Sequence, residues 1–240
     1  MAWFLTKPSF CKVLYNQIVI AMKKIFFIGL SLIVVLSSCL KTPKPAPVGE
    51  AKLRYVHAAS GVASQNFFVD GQKLGMTSIV YGQTSASSTV QSGGRNFVFA
   101  DEATNAVTGG TSGSLEIGGN YTIFLIKDLE QKPAAYGIGE NLTAPETGKA
   151  KVRFMHFNSF LNNSVSIGIS GGTTPLEPAL GFGKITNYFQ VPPGTKFTVT
   201  ATGVTNSPEI DFGIVADKIY TIWLGGNAST DLRAFYYTSN

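Results

Sequence analysis

From residue 51 onward, apolar and polar residues alternate in short runs. The runs are broken by Gly, Asn, Asp and Ser and do not join into helical stretches. Alternation with a period of two, bounded by turn residues, marks half-buried strands. The pattern predicts a first block of strands near 51–57, 65–70, 77–81, 85–91, 95–101, 113–117 and 120–127. A second block falls near 150–157, 164–170, 185–191, 196–202, 209–214, 218–224 and 232–238. In the opening strand, alternation sets Leu53, Tyr55 and His57 on the core side. Lys52, Arg54 and Val56 then face solvent or the rim. The same split sets Val152, Phe154 and His156 against Lys151, Arg153 and Met155. Asp70-Gly71 between two runs predicts a type I′ hairpin, which needs positive φ at both central residues.

The two blocks are copies. Ala51-Lys52-Leu53-Arg54-Tyr55-Val56-His57 recurs 99 residues later as Ala150-Lys151-Val152-Arg153-Phe154-Met155-His156. Tyr121-Thr122-Ile123-Phe124-Leu125 recurs as Tyr220-Thr221-Ile222-Trp223-Leu224 at the same offset. Between them Val90 to Val98 is echoed by Val191 to Val199, with the register moved by one or two. Both copies close on an aromatic strand, around Tyr136 and around Phe235-Tyr236-Tyr237. Many short strands and 26 glycines favour a sandwich. The expected fold is all-β: two tandem immunoglobulin-like or transthyretin-like antiparallel β-sandwich domains, at 51–138 and 150–240, joined by a linker at 139–149.

The first copy carries Arg54-Tyr55-Val56-His57-Ala58-Ala59-Ser60 and then Phe68-Val69-Asp70-Gly71. In this it resembles the module called domain of unknown function 4397, whose members open on an R-x-V-H-A-S-P-type strand and continue to a V-Y-V-D-G-type hairpin. Gly61 stands where the family has Pro, and the second copy replaces the Asp-Gly hairpin with Ile169-Ser170-Gly171-Gly172. The resemblance spans nearly all of 51–238. It implies an exported protein, often a tandem lipoprotein, of no established activity.

Ahead of the strands lies a different pattern. Met22-Lys23-Lys24 precedes a 12-residue apolar run, Ile25 to Leu36, and then Ser37-Ser38-Cys39. This is the order of a secretory signal, and the run is shorter than the roughly 20 residues a membrane span needs. Leu36-Ser37-Ser38-Cys39 resembles the bacterial lipobox, in which the cysteine sulfur accepts the lipid. Residues 1–38 are therefore expected to be leader and signal peptide, with Met22 as the true start and Cys39 as the lipidation site. Several acyl chains on Cys39 would hold a membrane stably. Residues 39–50, rich in proline, read as an extended tether. Leu40 rather than Asp after the cysteine points to the outer membrane, with the periplasmic and exterior sides both open.

Charge follows the same division. The formal +5 includes Lys7, Lys12, Lys23 and Lys24 before Cys39, whereas all 14 acidic residues follow it, which leaves +1 on the mature chain. That gives no basic footprint for nucleic acid. Cys11 is also upstream, so the domains hold no disulfide or cysteine metal site.

Candidate chemistry is sparse. His57 and His156 are the two histidines, at equivalent repeat positions. Each reads as an imidazole bonding a loop backbone at a strand end, since no nucleophile or orienting partner accompanies it. Asp70 and Asp101-Glu102 read as turn residues rather than a calcium site. Glu116 and Glu140 carry no pairing signal for glycoside hydrolysis. The Gly93-Gly94, Gly109-Gly110, Gly118-Gly119 and Gly171-Gly172 pairs read as hairpin glycines. Of Tyr236 and Tyr237, neighbours on one strand, one should face solvent. No catalytic residue, metal or cofactor is expected. The expected role is a non-catalytic binding or adhesion module at the cell envelope. Its partners would be the membrane, through Cys39, and a glycan or an envelope protein. The second reading is a structural subunit of an outer-membrane assembly.

Overall fold

The computed structural model describes residues 48–205 and 209–240. The leader, Met22, Cys39 and most of the tether lie outside the described residues. The described chain belongs to one compact unit, Pro47–Asn240.

The first copy contains β1 (Glu50–His57), β2 (Gln65–Val69), β3 (Gln72–Ile79), β4 (Ser88–Gln91), β5 (Gly93–Asp101), β6 (Val107–Leu115), β7 (Asn120–Lys127) and β8 (Pro133–Gly139). The second contains β9 (Ala150–His156), β10 (Val165–Ile169), β11 (Pro175–Leu180), β12 (Phe189–Val191), β13 (Phe197–Thr200), β14 (Glu209–Ile210), β15 (Ile219–Gly225) and β16 (Arg233–Thr238). Each copy makes two four-stranded sheets, β4-β1-β7-β8 with β3-β2-β5-β6, and β12-β9-β15-β16 with β11-β10-β13-β14. The topology repeats strand for strand, and the fold is all-β with two sandwich-like domains.

One expectation is corrected. Two of the four sheets are mixed, because β1 pairs parallel with β7, and β9 with β15. Parallel neighbours need a crossover, and here the whole opposite sheet serves as one. Side-chain alternation is the same for either strand direction, so the pattern could not reveal it. β11 was also not expected. It carries Pro175 and Pro178, which a strand tolerates at a sheet edge, and β11 is an edge. Gly109 and Gly110 lie within β6, not in a turn. A Cβ on Gly109 would meet the Ala134 backbone of β8 at 3.3 Å, so glycine there lets the two strands close one flank.

Local chemistry sets the turns. Asp70 and Gly71 have φ of 50° and 80°, and Val69 pairs with Gln72 across the expected two-residue hairpin. Tyr121 Oη accepts from Glu116 N–H at 2.8 Å, and Tyr220 Oη accepts from Val215 N–H at 3.0 Å. Each is a tyrosine corner, in which the hydroxyl bonds backbone just upstream of its own strand.

The inner faces pack as expected. Leu53, Tyr55, Phe67, Phe97 and Phe99 centre the first core, and Val152, Phe154, Ile167, Phe197 and Ile222 the second. The outer faces of β1 and β9 depart from expectation. Val56, Phe124, Ile126, Met155, Phe157, Trp223 and Tyr237 form a third cluster, between the domains. Sheets β4-β1-β7-β8 and β12-β9-β15-β16 therefore stack face to face. Lys52 is exposed, but Lys151 and Arg153 are only 5% exposed. The second domain covers what one sandwich alone would leave in water. β7 and β15 lie between two apolar layers, which suits their continuous apolar runs.

Candidate binding cleft

Both histidines are fully buried at the ends of β1 and β9. His57 Nε2 lies 3.0 Å from Ala63 O, and His156 Nε2 lies 3.3 Å from Asn163 O. A carbonyl only accepts, so Nε2 carries the proton in each. His156 Nδ1 then accepts from Asn158 N–H at 3.4 Å, while His57 Nδ1 is buried with no partner. Desolvation lowers both imidazole pKa values, against the raising effect of the loop hydrogen bonds. Their contacts are loop carbonyls and the rings of Tyr81 and Phe182. They close the strand ends, as their repeat-equivalent positions suggested.

The acidic candidates are also local. Asp70 accepts from Asn96 N–H and from Arg95 Nη1, which lower its pKa. Asp101 Oδ1 takes the N–H groups of Ala103 and Thr104 and the Thr104 hydroxyl, fixing the turn. Glu116 engages through its backbone in the first tyrosine corner. Among the described residues no group of three or more His, Cys, Asp or Glu side chains is placed to hold a metal ion. Tyr236 is 43% exposed and stacks on Phe212 at 4.3 Å, while Tyr237 is buried between the domains.

Glu140 had no visible partner in the sequence, yet it anchors a buried network. Its carboxylate pairs with Arg153 at 2.6 Å, with side chains 3% and 6% exposed. It also accepts from Thr122 and Tyr237 at 2.7 Å and from Ser239 at 3.0 Å. Lys151 Nζ donates to Asn141 O and Thr143 O. Burial raises the Tyr188 hydroxyl beside this network to about 12. The fully occupied carboxylate ties the connecting segment to both domains.

Open space lies elsewhere, along the flank where β3 and β4 edge the two sheets of the first domain. A hollow of about 440 Å³ runs between Gly75–Ile79 of β3 and the Gln83–Ser88 stretch leading into β4, over Tyr55. A second, of about 420 Å³, continues from Leu74 and Thr89 toward Asp70 and Arg95. Each has the volume of a small-ligand site. The first is neutral and rich in side-chain donors and acceptors: Thr77, Ser78, Gln83, Thr84, Ser85 and Ser88. The second adds Lys73 and the Asp70–Arg95 pair. A break in the β2–β3 register opens the gap. Phe67 pairs with Leu74 but Gln65 with Ile79, so Gly75–Ser78 bulge out and Met76 is 97% exposed. These residues were missed because the cleft joins a bulge to a loop and carries no linear motif. Among the described residues no helix is long and apolar enough to cross a membrane.

Residues 51–163 match the family model described as Domain of unknown function (DUF4397). No curated protein is significantly similar to the chain. Among solved structures, the chain is similar to the carbohydrate-binding module CBMbc (family CBM26) from Eubacterium rectale Amy13K, solved with maltoheptaose. Identity is 10% over 78% of this chain and 96% of that one, with a TM-score of 0.28. It is also similar to the tip fimbrial protein Mfa3 from Porphyromonas gingivalis, with 10% identity over 80% and 99% of the two chains and a TM-score of 0.26.

Proposed function

Taking residues 51–163 as a member of the domain of unknown function 4397 family, we propose that this protein is a non-catalytic binding module of the cell envelope. It is lipid-anchored through Cys39, and its ligand is a glycan or a protein. The observation that carries the reading is the neutral, hydroxyl- and amide-lined cleft along β3 and β4. Asp70, Asp101, Glu140 and both histidines are engaged in turns, strand ends and the domain junction, and the first hollow has no titratable side chain besides Tyr55. The Pro-rich stretch before Val48 serves as the tether, and the signal-type leader directs the chain to export and to lipidation at Cys39.

Thermal unfolding of the full chain against saccharides and synthetic peptides tests the binding. A ligand at a hundred times its Kd adds about 2.7 kcal/mol. For a body of this size the transition then rises by about 5–10 °C. No shift from either class would replace this reading with a structural subunit of an outer-membrane assembly. Cys39→Ala tests the anchor and should move the protein from the membrane to the soluble fraction; retention at the membrane would refute lipidation at that site.

A further inference from the structure

This inference rests on the binding reading and narrows its ligand. We propose that the open flank of the first sandwich takes an extended segment of a partner polypeptide as an added strand along β4.

β4 is a sheet edge. Just past it, Ser92 N–H donates to Gly49 O at 2.8 Å. Successive backbone groups of a strand point opposite ways, so the N–H groups of Gln91 and Thr89 face away from β1, toward the cleft. On that side Gln91 O already accepts from Arg95 Nε at 2.9 Å, which leaves the outward N–H groups as the template for another chain. The β3 bulge leaves room beside it. Core side chains, Tyr55, Leu74, Ile79 and Val90, lie beneath. Alternate side chains of an added strand would rest on them while its backbone pairs with β4, the arrangement of strand addition.

The repeat supplies an internal control. In the second domain the same flank holds Pro175 and Pro178 in β11, and Pro192 and Pro193 directly after β12. Proline removes the donor that edge pairing needs. Four of the chain's 11 prolines thus guard one flank, and none falls between Asp70 and Arg95. The other flank of the first domain is closed by the approach of β6 to β8. That leaves the β3–β4 flank of the first domain open to a strand.

Cleft chemistry favours polypeptide over glycan. Sugars bind well on exposed rings, but the one ring over the cleft is Tyr55. That ring stacks on Phe67 at 4.6 Å in the core, and its hydroxyl already donates to Leu74 O. What the β4 edge offers instead is the outward backbone N–H groups of Thr89 and Gln91. The fitting segment has about six to eight residues, at 3.3 Å each, with apolar side chains at alternate positions and no proline where it pairs.

The test uses the full chain and a displayed library of random ten-residue peptides. Selected peptides should share that alternation. The best of them, synthesised, should slow amide hydrogen exchange at Thr89 and Gln91. Gln91→Pro, which copies the second domain's guard, should weaken its binding at least tenfold, as should Thr89→Pro. Exchange in the unaltered chain decides the question even if both variants misfold. No enriched peptide, or a bound peptide that leaves exchange at these two amides unchanged, overturns the proposal. If saccharides alone raise the unfolding temperature, strand addition fails and the binding module stands. If neither class binds, both fall.

Discussion

The imidazoles of His57 and His156 and the carboxylates of Asp70, Asp101 and Asp211 divide the pH response of this protein into two windows. Burial lowers both histidine pKa values. Such a group binds fewer protons folded than unfolded. Its stabilising contribution is present above its unfolded value, about 6.5, and is lost as pH falls below it. The melting temperature should therefore drop between about pH 7.5 and 5.5. His57→Gln and His156→Gln should each remove part of that drop. A double variant with the full drop would show that the imidazoles are not its source. The three carboxyls are held low by hydrogen bonds, Asp70 chiefly from Asn96 N–H, Asp101 from Thr104 N–H and Asp211 from Lys196. Their contributions are present above the ordinary carboxylate range and fade below it, a separate acid limb.

At the scale of the element, the two tyrosine corners are a matched pair in unequal surroundings. Glu116 N–H, bonded to Tyr121 Oη, is exposed, whereas the bond from Val215 N–H to Tyr220 Oη is partly buried. Water can replace an exposed acceptor more readily than a buried one. Tyr121→Phe should cost about 0.5 kcal/mol and Tyr220→Phe about 1–1.5 kcal/mol, read from urea unfolding. Equal losses would contradict this account. The same inequality runs through the edge strands. β3 and β11 are topological equivalents, yet β3 bulges over Gly75–Ser78, whereas β11 shifts register in two smaller steps and carries two prolines. Duplication kept the sheet order and let the edges diverge.

For the whole molecule, the junction decides whether two sandwiches behave as one body. Trp223 stacks on Phe235 at 4.1 Å and meets Tyr81 of the first domain edge-on at 5.9 Å. Phe124 of the first domain packs on Phe157 and Tyr237. Beside this apolar layer sits the Glu140–Arg153 pair. A buried pair adds little beyond an apolar replacement, but removing one partner strands the other charge and costs about 3–5 kcal/mol. Glu140→Gln should destabilise by that order in calorimetry. Unaltered protein should unfold in a single transition, and the variant should begin to separate into two. A variant that melts unchanged would show that solvent already reaches the carboxylate. Replacing both partners with apolar residues should recover most of the loss.

Much of this was legible along the chain. Period-two alternation, the 99-residue repeat and Asp70-Gly71 are local signals. They suffice for an all-β pair of sandwiches, the hairpin, the core faces of β1 and β9, and the histidines at their ends, because each depends on a few adjacent residues. The parallel pairing of β1 with β7 was not legible, since alternation carries no direction. Nor was the burial of Lys151 and Arg153, since polar residues opposite a core read as solvent-facing until another domain covers them. Glu140 looked solitary because its partners lie up to 99 residues away. The cleft needed the β3 bulge and the loop before β4 to meet, and its one linear trace is a contrast: prolines in and beside β11 and β12 of the second copy and none between Asp70 and Arg95 of the first. The sequence by itself determined the strands, the repeat and the inward faces, through short-range sterics and hydrophobic period. Only the tertiary structure decided which outer faces meet, which charge is buried and which edge stays open, because those depend on residues brought together solely by folding.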